Sequence, residues 1–523
     1  MIFYYLPLVV LFGLAISDLI IGVANDAVNF TNSAIGSHVA PRWVIMIVAS
    51  IGILIGTTFS GGMLEIARKG VIYPEYFSFD NVITIFLAVM FTDVILLDLF
   101  NTYGLPTSTT VSFVFELLGG AVAVGMIILL GSGSDFSQLS QYINSDRALL
   151  MIAGIFISVL LAFIFGFIIQ FLTRLLFTFR VKKRHKIVGS IWSAFAMAFI
   201  FYYILIKGIK GSVLLSAQQI IWLQGHTSLF LSTLFLVCSI GFLILNFILR
   251  VNPLKVVVLT GTFALALAFA ANDLVNFIGV PVAGFISYQV SGFDSHSGSM
   301  LMEALNQPTG IPFFILPIAG IIMCLTLWFS RKARYVTKTE VELARQSKGK
   351  ERFDSSRIAR FLVEINLSVF NFIARILPVF VKSWVSRRYE RKKHAEPRET
   401  DIMPAFDLVR ASVNLMVASS LISFGTSLKL PLSTTYVTFM VAMGTSIADG
   451  AWGTDSAAFR VNGVLIVIGG WFMTAITAFS VAFIFAFLIH YGGTAVIIIL
   501  ILIAAFFMIR THKIFLKRHK KEL

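Results

Sequence analysis

The chain has 523 residues, 58% of them hydrophobic and 13% charged, with a formal net charge of +15. A mean hydropathy of +0.89 excludes a string of soluble domains, each of which would need a polar surface that this composition does not supply. Nor is the charge a nucleic-acid footprint, because 18 Lys/Arg against 8 Asp/Glu between 331 and 400 carry +10 of it.

Runs of about 20 apolar residues cross a bilayer as helices. In chain order they lie at 42–59, 148–172, 187–206, 227–249, 254–271, 309–329, 461–489 and 493–509. Shorter or polar-interrupted candidates lie at 4–24, 81–100, 111–130, 404–425 and 434–448. The sequence therefore predicts an all-α, polytopic membrane protein of about 10–12 transmembrane segments. The run at 4–24 has no basic residues ahead of it and leads directly into a polar motif, so a cleaved signal is not expected. Cys238 and Cys324 lie inside apolar runs and suggest neither a disulfide nor a metal site.

Basic clusters at 174–186, at 331–400 and in the tail from Arg510 flank these runs. Such flanks mark the cytoplasmic side and contact anionic lipid. Between Ile358 and Val381 an apolar stripe interrupted by Arg360, Glu364, Arg375 and Lys382 fits a helix lying in the membrane interface, with Pro378 near its end.

The chain repeats itself. ANDAVNF at 24–30 returns as ANDLVNF at 271–277, and LPTSTTVSFV at 105–114 returns as LPLSTTYVTF at 430–439. From Asn25 to Ser108 is 83 positions and from Asn272 to Ser433 is 161, so the second half carries about one basic insertion more. The expected organisation is a first repeat over 1–186, connecting spans over 187–253, the second repeat over 254–330, the insertion over 331–403, and the rest of the second repeat with the tail over 404–523. Internal duplication in a hydrophobic chain is a mark of secondary transporters. The residues leave open whether the repeats are parallel or inverted.

Asn25, Asp26 and Asn29, and again Asn272, Asp273 and Asn276, bring carboxylate and amide oxygens into apolar surroundings. A carboxylate at the bilayer centre costs about 2.5–3.5 kcal/mol on insertion scales, so such groups face a cavity and carry function. Their oxygens are hard ligands suited to Na⁺ or a proton. One copy alone reads equally well as a helix cap. In the second motif Pro106 and Pro431 stop any preceding helix. Ser108, Thr109 and Thr110, and Ser433, Thr434 and Thr435, then open apolar helices, placing hydroxyls, free N–H groups and the positive dipole end where an oxyanion binds. Asp93 and Glu116 are intramembrane carboxylates and candidate coupling residues. His38, Asp294, Asp449 and Asp455 are expected in wet loops without a role. None of the 8 His stands near either motif, and no nucleophile–base set suggests an enzyme.

The pair GVANDAVN at 22–29 and AANDLVN at 270–276, each followed by an STT-opened helix, resembles the signature of the inorganic phosphate transporter (PiT) family. The resemblance covers both halves apart from 331–400. It implies two inverted repeats with broken or re-entrant helices, a homodimer, and import of inorganic phosphate by alternating access. A monovalent cation accompanies the anion, with Na⁺ as the expected coupling ion, H⁺ its alternative and no other cofactor. By the same match, Asn25, Asp26, Asn272 and Asp273 belong to the cation and substrate site, while Ser108, Thr109, Thr110, Ser433, Thr434 and Thr435 hold phosphate; Asn29 and Asn276 join the cation ligands on the residue reading above. Many members carry His directly after STT, where this chain has Val111 and Tyr436. Some members carry sulfate, so a sulfate or other tetrahedral-oxyanion permease of the same fold is the alternative. The expected location is a bacterial cytoplasmic (inner) membrane, with 331–400 and the C-terminus in the cytoplasm.

Overall fold

A computed structural model describes the chain except residues 1, 105, 178–184, 205–216, 295, 308–311, 313, 346–355, 377, 390–403, 451–456 and 519–523. The described residues form α-helices and short 3₁₀ turns. The helices are α1 (Ile2–Gly36), α2 (Arg42–Thr57), α3 (Glu65–Lys69), α4 (Phe79–Tyr103), α5 (Thr109–Ser132), α6 (Ser145–Phe177), α7 (His185–Tyr202), α8 (Ala217–Gly225) and α9 (Thr227–Phe247). They continue with α10 (Pro253–Val290), α11 (Ile315–Phe329), α12 (Arg331–Leu343), α13 (Arg357–Ile376), α14 (Val379–Tyr389), α15 (Leu408–Ser427), α16 (Thr434–Ala448) and α17 (Ala457–Arg518).

Eight helices are long and apolar enough to cross a membrane, or ten when each of two bent pairs is taken as one span. Those pairs are α2 with 60–69, bent by 51°, and α11 with α12, bent by 69°. The apolar stretch of α17 runs 58 residues, which at 1.5 Å per residue is nearly three times the hydrocarbon thickness. Its backbone breaks at Gly493, with φ 54 and ψ −140, between the two runs that the sequence separates there. One further crossing is accommodated in this way. The interfacial stripe is divided: α13 carries Ile358, Phe361, Phe372 and Ile376 on its exposed side, and α14 begins after Pro378.

The repeats are inverted. Helices α1 and α10, which carry the two ANDxVNF copies, run antiparallel. The Tyr288 hydroxyl donates to the Tyr4 carbonyl over 2.6 Å, Phe12 meets Phe285 with ring centroids 6.2 Å apart, and Phe30 meets Phe269 at 5.2 Å. Asp26 and Asp273 thereby fall at the same level of the crossing. Helices α4 and α5 form one hairpin, and α15 and α16 the other. Gly104, at φ +64, ends α4 in the left-handed region, and Lys429, at φ +55, turns the second tip. Ser108 accepts from the Val111 N–H and Ser433 from the Tyr436 N–H, both at 3.1 Å, so the two STT helices start with the same cap. The tips touch: the Thr110 hydroxyl donates to the Leu432 carbonyl over 3.3 Å.

The open ends of the hairpins are held differently. At the first, the Phe79 N–H donates to the Met300 carbonyl over 2.8 Å and the Met302 N–H to the Phe77 carbonyl over 3.0 Å. At the second, Arg174 of α6 donates to Asp449 over 2.7 and 2.9 Å and pairs with Asp407 at 2.7 Å. Asp449 is thus a buried ion-pair partner and not the wet-loop residue the sequence suggests. Its carboxylate sits beside α6 because Gly444 lets α16 approach so closely that a Cβ there would lie 2.3 Å from the Phe163 carbonyl oxygen.

Candidate substrate and cation site

Every polar side chain of the four motif copies is buried where the two hairpin tips meet α1 and α10. The bonding is crossed between the repeats. The Asp26 carboxylate accepts from the Thr109 hydroxyl of its own repeat over 2.9 Å and from the Thr435 hydroxyl of the other over 3.1 Å. Asp273 accepts from the Thr434 hydroxyl and, over 3.3 Å, from that of Thr110. The Asn29 amide donates to the Thr434 and Thr435 hydroxyl oxygens at 3.1 and 3.0 Å, and the Asn276 amide to those of Thr109 and Thr110 at the same two distances. All four threonine hydroxyls therefore accept from an asparagine; those of Thr109, Thr434 and Thr435 donate to an aspartate, and that of Thr110 shares its hydrogen between Asp273 and the Leu432 carbonyl. The Asn276 amide, bonded to both Thr109 and Thr110, links a donor of Asp26 to a donor of Asp273.

Asn25 and Asn272 fix the hairpin tips. Asn25 accepts from the Thr107 backbone N–H over 3.1 Å, and Asn272 donates to the Leu432 carbonyl over 2.8 Å. Thr107 and Leu432 occupy the same place in the two LPxS turns. The sequence reading missed the partners behind them. Asn101 accepts from Asn25 over 2.7 Å and donates to the Ile21 carbonyl at the same distance, while Thr426 donates to Asn272 over 3.2 Å. Asn101 and Thr426 each stand seven residues before the capping serine, a spacing that aligning the two repeats would have exposed.

The first N–H groups of α5 and α16 have no acceptor within their own helices. The serine caps satisfy one each, so both positive helix ends present free donors at the tips, where an anion is favoured. Among the described residues, no basic side chain bonds to the site's carboxylates. The buried arginines among the described residues are Arg68, Arg174 and Arg410. Arg68 donates to the carbonyls of Leu305 and Gln307, and Arg410 to those of Ala344 and Ala442, while Arg174 serves Asp407 and Asp449. Two carboxylates without a basic partner in a low-dielectric interior require a mobile cation to be ionised together.

Asp93 and Glu116 lie outside this lattice and, with Asp18, form a separate buried group. Asp18 was not singled out in the sequence. Asp98 points elsewhere, pairing with Lys332 at 2.5 Å. Asn414, near α15's start, donates to Ser33 and accepts from Thr445, a packing role.

Comparison with known proteins agrees with this architecture. The model of the phosphate transporter family matches residues 22–339. A candidate phosphate permease of Thermococcus kodakarensis is 27% identical over 304 residues, covering 57% of this chain and 68% of that protein. Another, from Pyrococcus abyssi, is 28% identical over 335 residues, covering 61% and 73%. Among solved structures, one described as a sodium-dependent phosphate transporter shares the fold with a TM-score of 0.63 at 16% identity, over 93% of this chain and 99% of that one.

Proposed function

The chain belongs to the phosphate transporter family, and from that premise we propose that it imports inorganic phosphate together with Na⁺ by alternating access, with the basic segments on the cytoplasmic side. The observation that carries this reading is the crossed Asp–Thr lattice. Among the described residues its aspartates have no fixed positive partner, and its threonines can give their hydroxyl hydrogens either to an aspartate or to a substrate oxygen. When Na⁺ takes oxygens of Asp26 and Asp273, the hydroxyls of Thr109, Thr434 and Thr435 lose their acceptors and turn to the anion, and that of Thr110, which also faces the Leu432 carbonyl, is released from Asp273. The free N–H groups of α5 and α16 supply the remaining donors. Cation and anion then each prepare the site for the other, which is a coupling between sites in the thermodynamic sense.

The energetics favour company for the anion. Each charge crossing about 100 mV involves roughly 2.3 kcal/mol, so HPO₄²⁻ entering an inside-negative compartment alone is opposed by twice that. Two monovalent cations cancel the opposition and a third makes the potential assist. The sequence similarity to phosphate permeases supports phosphate as the anion, and the sodium-dependent neighbour of the same fold supports Na⁺ as the partner. The test is uptake of radiolabelled phosphate into proteoliposomes, with Na⁺ and pH gradients imposed separately. Uptake driven by a Na⁺ gradient and inhibited by arsenate is expected. Flux indifferent to every cation gradient would sink the symport, and inhibition by sulfate but not arsenate would transfer the assignment to a sulfate permease.

A further inference from the structure

Asp18 of α1, Asp93 of α4 and Glu116 of α5 meet in the interior, with Asp93 in hydrogen-bonding reach of both others. All three are buried, at 0–1% exposure. Among the described residues the single donor beside their six carboxyl oxygens is the Ser112 hydroxyl, which lies between Asp93 and Glu116 and bonds Glu116 Oε1 over 2.6 Å, leaving the other five without a partner. Neither oxygen of Asp18, which neighbours Asp93 from a different helix, finds a partner.

Three charges of one sign cannot stand together in an apolar interior. Even a single unpaired carboxylate is more cheaply neutralised than buried. Two carboxyl groups within hydrogen-bonding reach of each other attract only if one carries a proton, because ionised carboxylates accept and never donate. The missing donors are therefore supplied if protons reside on the triad. The ionisable groups around it add no positive charge. Asp26 lies eight residues farther along α1, about 12 Å at the helical rise. Asp273 of α10 neighbours Asp26, and Asp98 on α4 is taken up by Lys332 of α12. Between 461 and 489, α17 contributes no charged or histidine residue.

We propose that Asp18, Asp93 and Glu116 form an exchangeable proton site of the transport cycle, distinct from the Asp26–Asp273 lattice. This rests on the transport reading above. Asp18 is on α1, whereas Asp93 and Glu116 are on the first hairpin, whose tip holds the substrate hydroxyls. Any movement of that hairpin against α1 changes the distance between the acids and hence the number of protons they hold, since like charges brought together favour protonation. A proton arrives from water at a carboxylate oxygen in one state and leaves from it in the other. The same offsets in the second repeat give Leu265, Ala418 and Val441, all buried and apolar, so the site is built into one repeat only.

Two measurements decide. In proteoliposomes, an imposed gradient of one pH unit multiplies the steady-state accumulation of the transported phosphate ion by about tenfold per coupled proton. The wild type shows that factor, while Asp93→Asn and Glu116→Gln lose it. Accumulation is an equilibrium reading, so a merely slowed variant keeps the factor. In the purified full-length protein, infrared spectroscopy at neutral pH shows a protonated-carboxyl C=O band that changes when phosphate and Na⁺ are added and weakens in Asp18→Asn and in Glu116→Gln, each checked for folding by size exclusion. An unchanged pH factor in the variants, its loss from the Na⁺ response instead, or a band absent from the wild type or untouched by the substitutions overturns the proposal. Failure of the wild type to accumulate phosphate at all would refute the transport reading separately, and the infrared band would still decide whether the triad holds protons.

Discussion

The two inverted repeats carry the same lattice in different settings. At the crossing, Asp26, Asn29 and the first pair of threonines repeat as Asp273, Asn276 and the second pair, with each contact returned across the axis. Away from it the halves diverge. The first repeat surrounds its half with Asp18, Asp93 and Glu116, the second with Leu265, Ala418 and Val441. The first hairpin is tied at its open end by backbone bonds to 300–302, the second by the Arg174 ion cluster. Symmetry is kept where the four motif copies bond to one another across the crossing, and is lost where each half is only anchored or surrounded.

The sharpest way to break that comparison is to remove one aspartate at a time. Asp26→Asn and Asp273→Asn are each expected to abolish coupled phosphate uptake while leaving membrane insertion intact. Loss of a buried, hydrogen-bonded charge partner costs about 2–5 kcal/mol, which is a fall of roughly thirtyfold or more. The measurement is initial-rate uptake in proteoliposomes at matched protein content. If either variant transports normally, the two halves are not equivalent at the lattice and the cation assignment fails for that aspartate.

The next effect separates anchoring from binding. Arg174→Met leaves Asp449 buried beside Gln170 without its cation, although Gln170 still donates to it over 2.8 Å. Removing one member of a buried pair destabilises by about 3–5 kcal/mol, so the midpoint of thermal unfolding in detergent should fall clearly. Adding Asp449→Leu should restore part of the loss, because the fully buried carboxylate is then gone and Asp407, whose side chain is 42% exposed, can turn to water. Equal instability of single and double variants would mean that the second hairpin is held by something other than this cluster.

Much of this was legible in the sequence because duplication removes ambiguity. One ANDxVNF stretch or one Ser/Thr-opened helix is an ordinary cap, but two ordered pairs select a converging site, and the fold brings all twelve of those motif residues together. The crossing itself was not legible. That Thr435 would serve Asp26 and Thr109 would serve Asn276 depends on antiparallel packing of α1 on α10, which composition and period do not encode. Asp18 escaped notice because it lies one apolar stretch before a more conspicuous motif, and its significance comes only from its neighbours on α4 and α5. Asp449 misled for the converse reason: next to Gly450 it has the local character of a solvated turn, and only Arg174, 275 residues away in the chain, buries it.

The smallest expected effect tests the positions that neither motif contains. Asn101 and Thr426 stand at the same offset and brace equivalent asparagines, but they do so unequally. Asn101 is wholly buried and bridges Asn25 to the Ile21 carbonyl. Thr426 is half-buried and also has a bond to the Ile422 carbonyl of its own helix at 2.9 Å. Truncating a buried bridge strands both partners, at about 1–3 kcal/mol for the unsatisfied groups, whereas water can replace a partly exposed hydroxyl at small cost. Asn101→Ala should therefore weaken phosphate binding by about tenfold, and Thr426→Ala by no more than about threefold. Equilibrium binding of labelled phosphate to the purified variants reads both. Equal losses would mean that the two bracing contacts matter only through the tip geometry they share, and the asymmetry between the repeats would then end at the lattice's edge instead of reaching into its support.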